Sequence, residues 1–270
     1  MRDEDCVAFL RWALPRLHMR WGGFRRVRSQ VCKRLGRRLR DVGLERLSEY
    51  RTYLESHPEE WRELDARCRI SISRFGRDRS VWTALRERVL PVLARSLRDR
   101  DEAVLRAWSI GCAAGEEPYT LALLWHLYLR PWFPGLSLRI TATDSDEAQL
   151  RRAREALYPA SSLRELPPEL RAVGFERAQP GFRLRPRFRG SVRFEAGDVR
   201  NGLIEGRLHL VLCRNLVFTY FDDALQREIL DGLIARLAPG GALVIGTHER
   251  LPAGASNLTE WLPCVYRSAP

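Results

Sequence analysis

The chain has 270 residues, 45% of them apolar, which suffices for one large or two modest domains with a substantial core. Its 46 Lys and Arg against 34 Asp and Glu leave a net charge of +12, but residues 1–100 hold 25 bases and 14 acids while the remainder hold 21 and 20. The excess therefore belongs to the first part, where a lone lysine (Lys33) among arginines points to compositional bias rather than to a nucleic-acid module, and no apolar run approaches the roughly 20 residues of a membrane span.

The first residues carry acids (Asp3, Glu4, Asp5) where a secretory leader would carry bases, so a cytoplasmic location is expected. Six cysteines (Cys6, Cys32, Cys68, Cys112, Cys213, Cys264) show no C-x-x-C spacing, which argues against a zinc site and a disulfide framework and predicts reduced packing thiols. Residues 1–100 read as an all-helical basic domain that includes a linker helix. Val27, Val31, Leu35 and Leu39 recur every four positions as an apolar stripe on an arginine-rich helix, and further helices are expected over 47–55, 59–68 and 79–97.

From Val104 the pattern changes to short apolar strands alternating with helices, with strands at 104–110, 138–143, 192–195, 208–213 and 242–246. This alternation predicts an α/β domain over 101–270, Rossmann-like, with a parallel sheet and crossover helices. Residues 158–190 interrupt it as a small β subdomain. Its end, Phe182 to Arg189, alternates apolar and basic residues, and Pro186 predicts an edge strand or a bulge, whose arginine face could accept an acidic peptide by strand addition. A small hairpin shielding the core is the other reading of that stretch.

The segment Trp108-Ser-Ile-Gly-Cys-Ala-Ala-Gly-Glu-Glu-Pro-Tyr119, followed after one helix by a strand ending at Asp144, reads as the first half of a nucleotide-binding unit. Gly111 and Gly115 allow backbone to approach a ligand, and Asp144 is placed for ribose hydroxyls. The turn is G-x-x-x-G, and Glu116 and Glu117 at the helix start would repel a phosphate. A nucleoside with a positive centre suits the turn better than a dinucleotide, and S-adenosylmethionine is the obvious candidate.

With both halves in view, the chain resembles the CheR family of S-adenosylmethionine-dependent chemotaxis receptor (protein-glutamate) O-methyltransferases. The residues that carry the resemblance are Gly111 to Tyr119, Ala142-Thr-Asp144, Cys213-Arg-Asn215 with Tyr220-Phe-Asp222, and Pro239 to Gly246 leading to Glu249. The resemblance implies that Glu117 binds the methionyl ammonium and Asp144 the ribose. It further implies cofactor contacts from Ser71, Ser73, Gly111, Cys112, Gly115, Ser145, Asp198, Val199, Arg214 and Asn215, with Asp198 where the family more often has Asn. S-Adenosylhomocysteine is the implied product, no metal is implied, and the implied partner is an acidic protein such as a chemoreceptor helix.

Ile70 to Asp78 resembles the family's T-N-x-T-x-F-F-R-[DE] segment, with Ser71, Ser73 and Gly76 as departures and Phe75, Arg77 and Asp78 retained. Arg77 is the implied group for orienting the substrate carboxylate. The family's active-site Tyr stands four residues beyond the Asn; here Thr219 has that place and Tyr220 follows, so either a one-residue insertion or bulge restores Tyr220 to the site or the acceptor pocket differs from that of receptor methyltransferases. The leading function is methylation of glutamate side chains on a signalling protein. Alternatives are a small-molecule carboxyl or hydroxyl O-methyltransferase on the same scaffold, and a non-catalytic S-adenosylmethionine-binding interaction module.

Overall fold

The computed structural model describes residues 2–254 and 257–269, which form two compact units. The first unit comprises residues up to Ser71 together with Thr219–Gln226, and the second Ile72–Phe218 with the chain from Arg227 onward.

The N-terminal unit is helical: α1 (Asp3–Ala13), the short α2 (Trp21–Phe24), α3 (Arg28–Asp41), α4 (Leu47–Ser56) and α5 (Glu60–Cys68). The four-residue stripe buries Val31, Leu35 and Leu39 along α3, while Val27 stands just before the helix as its N-cap. Inside the unit, Arg38 donates two hydrogen bonds to the buried Glu60 carboxylate, at 2.8 and 2.6 Å, and the Tyr50 hydroxyl adds a third. A buried acid is tolerated only when so paired. Two of the six cysteines are not reduced: Cys6 of α1 and Cys32 of α3 form a disulfide, which corrects the sequence expectation. Sequence spacing cannot reveal this pairing, because it depends on α1 lying against α3 with the two Cα atoms 6.0 Å apart. Cys68, Cys112, Cys213 and Cys264 are free thiols.

The second unit opens with α6 (Arg79–Ala84) and α7 (Leu90–Arg98). The expected domain boundary near residue 100 is corrected here. These helices and the turn between them bury Val81, Leu85, Leu90, Leu93 and Leu97 in the same core as the sheet, so their apolar face assigns them to the α/β unit. There follow β1 (Val104–Ile110), α8 (Glu116–Leu124), β2 (Ser137–Asp144) and α9 (Glu147–Glu155). Asp146 caps α9, accepting the Ala148 N–H at 2.9 Å.

The insertion holds β3 (Leu157–Tyr158), α10 (Pro168–Gly174), β4 (Phe175–Ala178) and β5 (Gly181–Leu184), the strands in the order β3-β5-β4. The long edge strand expected at 182–189 is not formed. β5 is the central strand and stops at Leu184, and Pro186 opens a 3-10 turn over Pro186–Phe188. Both edges of β5 are paired, so strand addition there has no free ladder to use.

The chain then runs through β6 (Val192–Ala196), β7 (Leu208–Leu212), α11 (Val217–Tyr220), α12 (Asp223–Arg236), β8 (Leu237–Val244), β9 (Leu258–Leu262) and β10 (Val265–Ser268). The seven-stranded sheet has the order β6-β2-β1-β7-β8-β10-β9, parallel from β6 to β8 and antiparallel at β10 and β9. Crossovers leave β1 toward β2 on one side, and β7 adds on the other. The carboxyl ends of β1 and β7 therefore flank a topological switch point, where open α/β sheets bind ligands.

Candidate active site

Four loops meet at that edge because each follows a parallel strand. After β1, the N–H groups of Gly111 and Cys112 both donate to Thr143 O, at 2.8 and 3.0 Å, which draws the glycine turn against the end of β2. Asp144 lies at that end. Its Oδ2 accepts the Ala113 N–H at 2.8 Å and its Oδ1 the Asp146 N–H at 2.9 Å, which orients the carboxylate. Ala113 itself adopts a left-handed conformation, φ +48°, a constraint common at functional turns. Ser145 follows in the same turn, and Gly115 caps α8.

Glu117 and Arg214 form the centre of the site. Arg214, whose side chain is 3% exposed, reaches from the end of β7 to Glu117 Oε2 (3.1 Å), Asp78 Oδ2 (2.7 Å) and the Arg77 carbonyl (3.0 Å), with its guanidinium over the Trp82 ring. Ser109 donates to the other Glu117 oxygen at 2.8 Å. Burial pushes the Glu117 pKa up, and the Arg214 charge opposes that rise. One arginine so ties together the start of α8, the 77–78 segment and the end of β7. The sequence pattern points to Arg214 and Glu117 but carries no signal for the parts played by Asp78, Trp82 and Ser109. Asp78 was legible only as part of a motif, and its left-handed φ of +61° has no sequence signal.

The 72–78 segment is pinned on α8: the Gly76 N–H donates to Thr120 Oγ1, and Phe75 is fully buried edge-on to Tyr158 and Phe175. The departure at Gly76 has a local reason. It sits at φ +68°, and a Cβ would lie 3.0 Å from Glu165 O, so a bulky residue would be strained in this backbone. Glu116 is 3% exposed, and burial raises its pKa, with Ser73 opposing the rise. Arg77 turns its guanidinium back onto the Ile72 carbonyl at 2.9 Å.

After β6, Asp198 pairs with Arg200 through several contacts, the nearest 2.6 Å, and Val199 beside it is buried. The Gly197 N–H donates to Asp144 O, which brings this loop beside the Asp144 turn. Asn215, at φ +56°, follows Arg214. The structure thus brings Ser73, Arg77, Gly111, Cys112, Gly115, Glu117, Asp144, Ser145, Asp198, Val199, Arg214 and Asn215 onto one unit. Ser71 and Tyr220 fall in the N-terminal unit, where the Tyr220 ring lies 5.1 Å from Phe24. Tyr220 ends the helix α11.

An acid-lined glycine turn at the switch point, with an oriented carboxylate after β2, fits a nucleoside that carries positive charge rather than phosphate. Fold and site together define an S-adenosylmethionine-dependent methyltransferase with a Rossmann-like sheet. Residues 71–266 match the family model "CheR methyltransferase, SAM binding domain", and residues 27–64 match "CheR methyltransferase, all-alpha domain". The chain belongs to the CheR methyltransferase family.

Its relatives include the chemotaxis protein methyltransferase of Borreliella burgdorferi, 27% identical over 242 residues, covering 88% of this chain and 85% of that protein. The Listeria monocytogenes chemotaxis protein methyltransferase is 32% identical over 182 residues, 67% of this chain and 66% of its own length. A probable chemotaxis protein methyltransferase of Rhizobium etli is 30% identical over 245 residues, with 85% and 87% covered. Among the described residues no helix is long and apolar enough to cross a membrane, and no acid, His and Cys cluster suits a metal ion.

Proposed function

We propose that the protein methylates glutamate side chains of an acidic signalling protein of the chemoreceptor kind, in the cytoplasm. Support comes from the names of its relatives and, on the structure, from one observation: the Arg214 bridge that fixes Glu117 and the Arg77–Asp78 segment around the same crevice. S-Adenosylmethionine supplies a methyl group made electrophilic by its sulfonium and is left as S-adenosylhomocysteine.

The residues have matching tasks. Asp144 receives the ribose hydroxyls, and the acidic start of α8, with Glu117 foremost, faces the methionyl ammonium. Gly111, Cys112, Gly115, Ser145, Asp198, Val199 and Asn215 line the nucleoside, and Ser73 closes on it from the 72–78 segment. A glutamate substrate with an ordinary pKa near 4.3 is already ionised at neutral pH. No general base is therefore required, and the work is alignment of the carboxylate oxygen with the methyl and exclusion of water. Arg77 orients that carboxylate after leaving the Ile72 carbonyl. The bases of residues 6–40, eleven Lys and Arg with no acid, attract the acidic partner.

The reading is tested by calorimetric titration of S-adenosylmethionine and S-adenosylhomocysteine into the wild type and Asp144→Ala, followed by transfer of labelled methyl to receptor helices. Micromolar binding that Asp144→Ala abolishes, together with label released by mild base as from a carboxyl ester, is the expected result. Absence of binding to either compound sinks the reading. Label transferred only to small acids transfers the protein to the small-molecule class.

A further inference from the structure

The ends of β7 and β8 are joined by a single carboxylate oxygen that the reaction scheme leaves unused. Regular pairing between these strands closes with the Cys213 N–H donating to Val244 O at 2.9 Å. Beyond it, Glu249 Oε2 accepts the Asn215 N–H at 2.8 Å and the Gly246 N–H at 2.7 Å. The Glu249 N–H donates in turn to Gly246 O at 3.0 Å, so residues 246–249 form a closed turn. Glu249 is 7% exposed, and two charge-assisted bonds to one buried oxygen hold both partners firmly.

The clamp has a steric half. A Cβ on Gly246 would lie 2.4 Å from Asn215 Nδ2 and 2.9 Å from Glu249 Oε2, so only glycine lets the turn close on the Asn215 side chain. Asn215 is thereby held at its backbone N–H, with its amide packed close to Gly246, in a left-handed conformation that a free chain rarely holds.

We infer that Glu249 is a positioning residue: by holding the Asn215 N–H it fixes the backbone of Asn215, one of the residues assigned above to the cofactor. The inference rests on the cofactor reading above. It gives the G-x-x-E turn after β8 a role in ligand binding, exerted through Asn215, rather than one of fold maintenance alone.

The test is a double-mutant cycle read by S-adenosylhomocysteine titration on the full chain, using wild type, Glu249→Ala, Asn215→Ala, the double variant and Glu249→Gln. Either single alanine change should weaken binding about ten- to a hundredfold, the scale of a lost hydrogen bond to a charged group. The double variant should bind no more weakly than Asn215→Ala, because one side chain acts through the other. Glu249→Gln, which keeps an acceptor oxygen, should recover most of the affinity. Additive losses, or wild-type affinity in Glu249→Ala, overturn the inference while leaving the cofactor reading intact. A wild type that binds no S-adenosylhomocysteine overturns both. If Glu249→Ala does not fold, Glu249→Asp provides the same cycle with the charge retained and the reach shortened by one methylene.

Discussion

Single residues in this protein are decided by what surrounds them more than by their type. Glu117 is an acid at a helix start, which any sequence reader would notice, but its role depends on Arg214 arriving from the end of β7, 97 positions away. His209 shows the same in a group with no part in the reaction. It is 3% exposed, accepts the Arg106 backbone N–H at Nδ1 (3.0 Å), and its Nε2 lies 3.3 Å from Glu102. That pattern needs the neutral ring with hydrogen on Nε2, and burial, followed by the charge of Arg106, lowers its pKa below 6.5. Between the folded and unfolded values the unfolded chain binds more protons. The stability held by the neutral ring is therefore complete above about pH 6.5 and is lost as pH falls through the folded value. The melting temperature should drop between about pH 7.5 and pH 5.5, and His209→Gln should flatten that slope. An unchanged slope in the variant removes His209 as its source.

At the scale of elements, periodicity was a sound guide wherever one face is buried. The four-residue spacing of Val31, Leu35 and Leu39 became the buried side of α3, and the apolar runs became the parallel strands. It failed where long-range partners decide. The alternation from Phe182 to Arg189 stops being a strand at Leu184, and β9 and β10, half-buried and short, carried too little apolar signal to be read. The Cys6–Cys32 bond is likewise a product of packing between α1 and α3. It closes a loop of 26 positions, which loop entropy values at about 3 kcal/mol of stability for the helical unit. Cys6→Ser, or reduction by a dithiol, should lower the unfolding midpoint of that unit accordingly. Thiol titration of the unfolded, unreduced chain should give four thiols of the six cysteines, and a count of six would remove the bond.

For the whole molecule the uneven charge matters most. With a net of +11 in residues 1–100 and +1 in the rest, encounter with an acidic receptor should accelerate at low ionic strength and slow as salt screens it. Methyl transfer to a receptor fragment should therefore lose kcat/KM about severalfold between 0.05 and 0.3 M salt, roughly across the range where the Debye length falls below 10 Å, with S-adenosylhomocysteine affinity nearly constant. Equal salt dependence of both would place the charge effect at the cofactor rather than at the partner.

By itself the sequence determined the fold class, the cofactor and the family, because an acidic glycine turn between a strand and a helix, an acid ending the next strand and a C-R-N after a later one are local patterns with local causes. Tertiary structure decided the rest. It drew α6 and α7 into the sheet unit, made β5 a central strand and joined Cys6 to Cys32. It also selected Asp78 and Glu249 as partners of Arg214 and Asn215. These depend on which distant groups meet in a buried, low-dielectric place, where an unpaired charge or N–H is costly, and no spacing along the chain encodes that meeting.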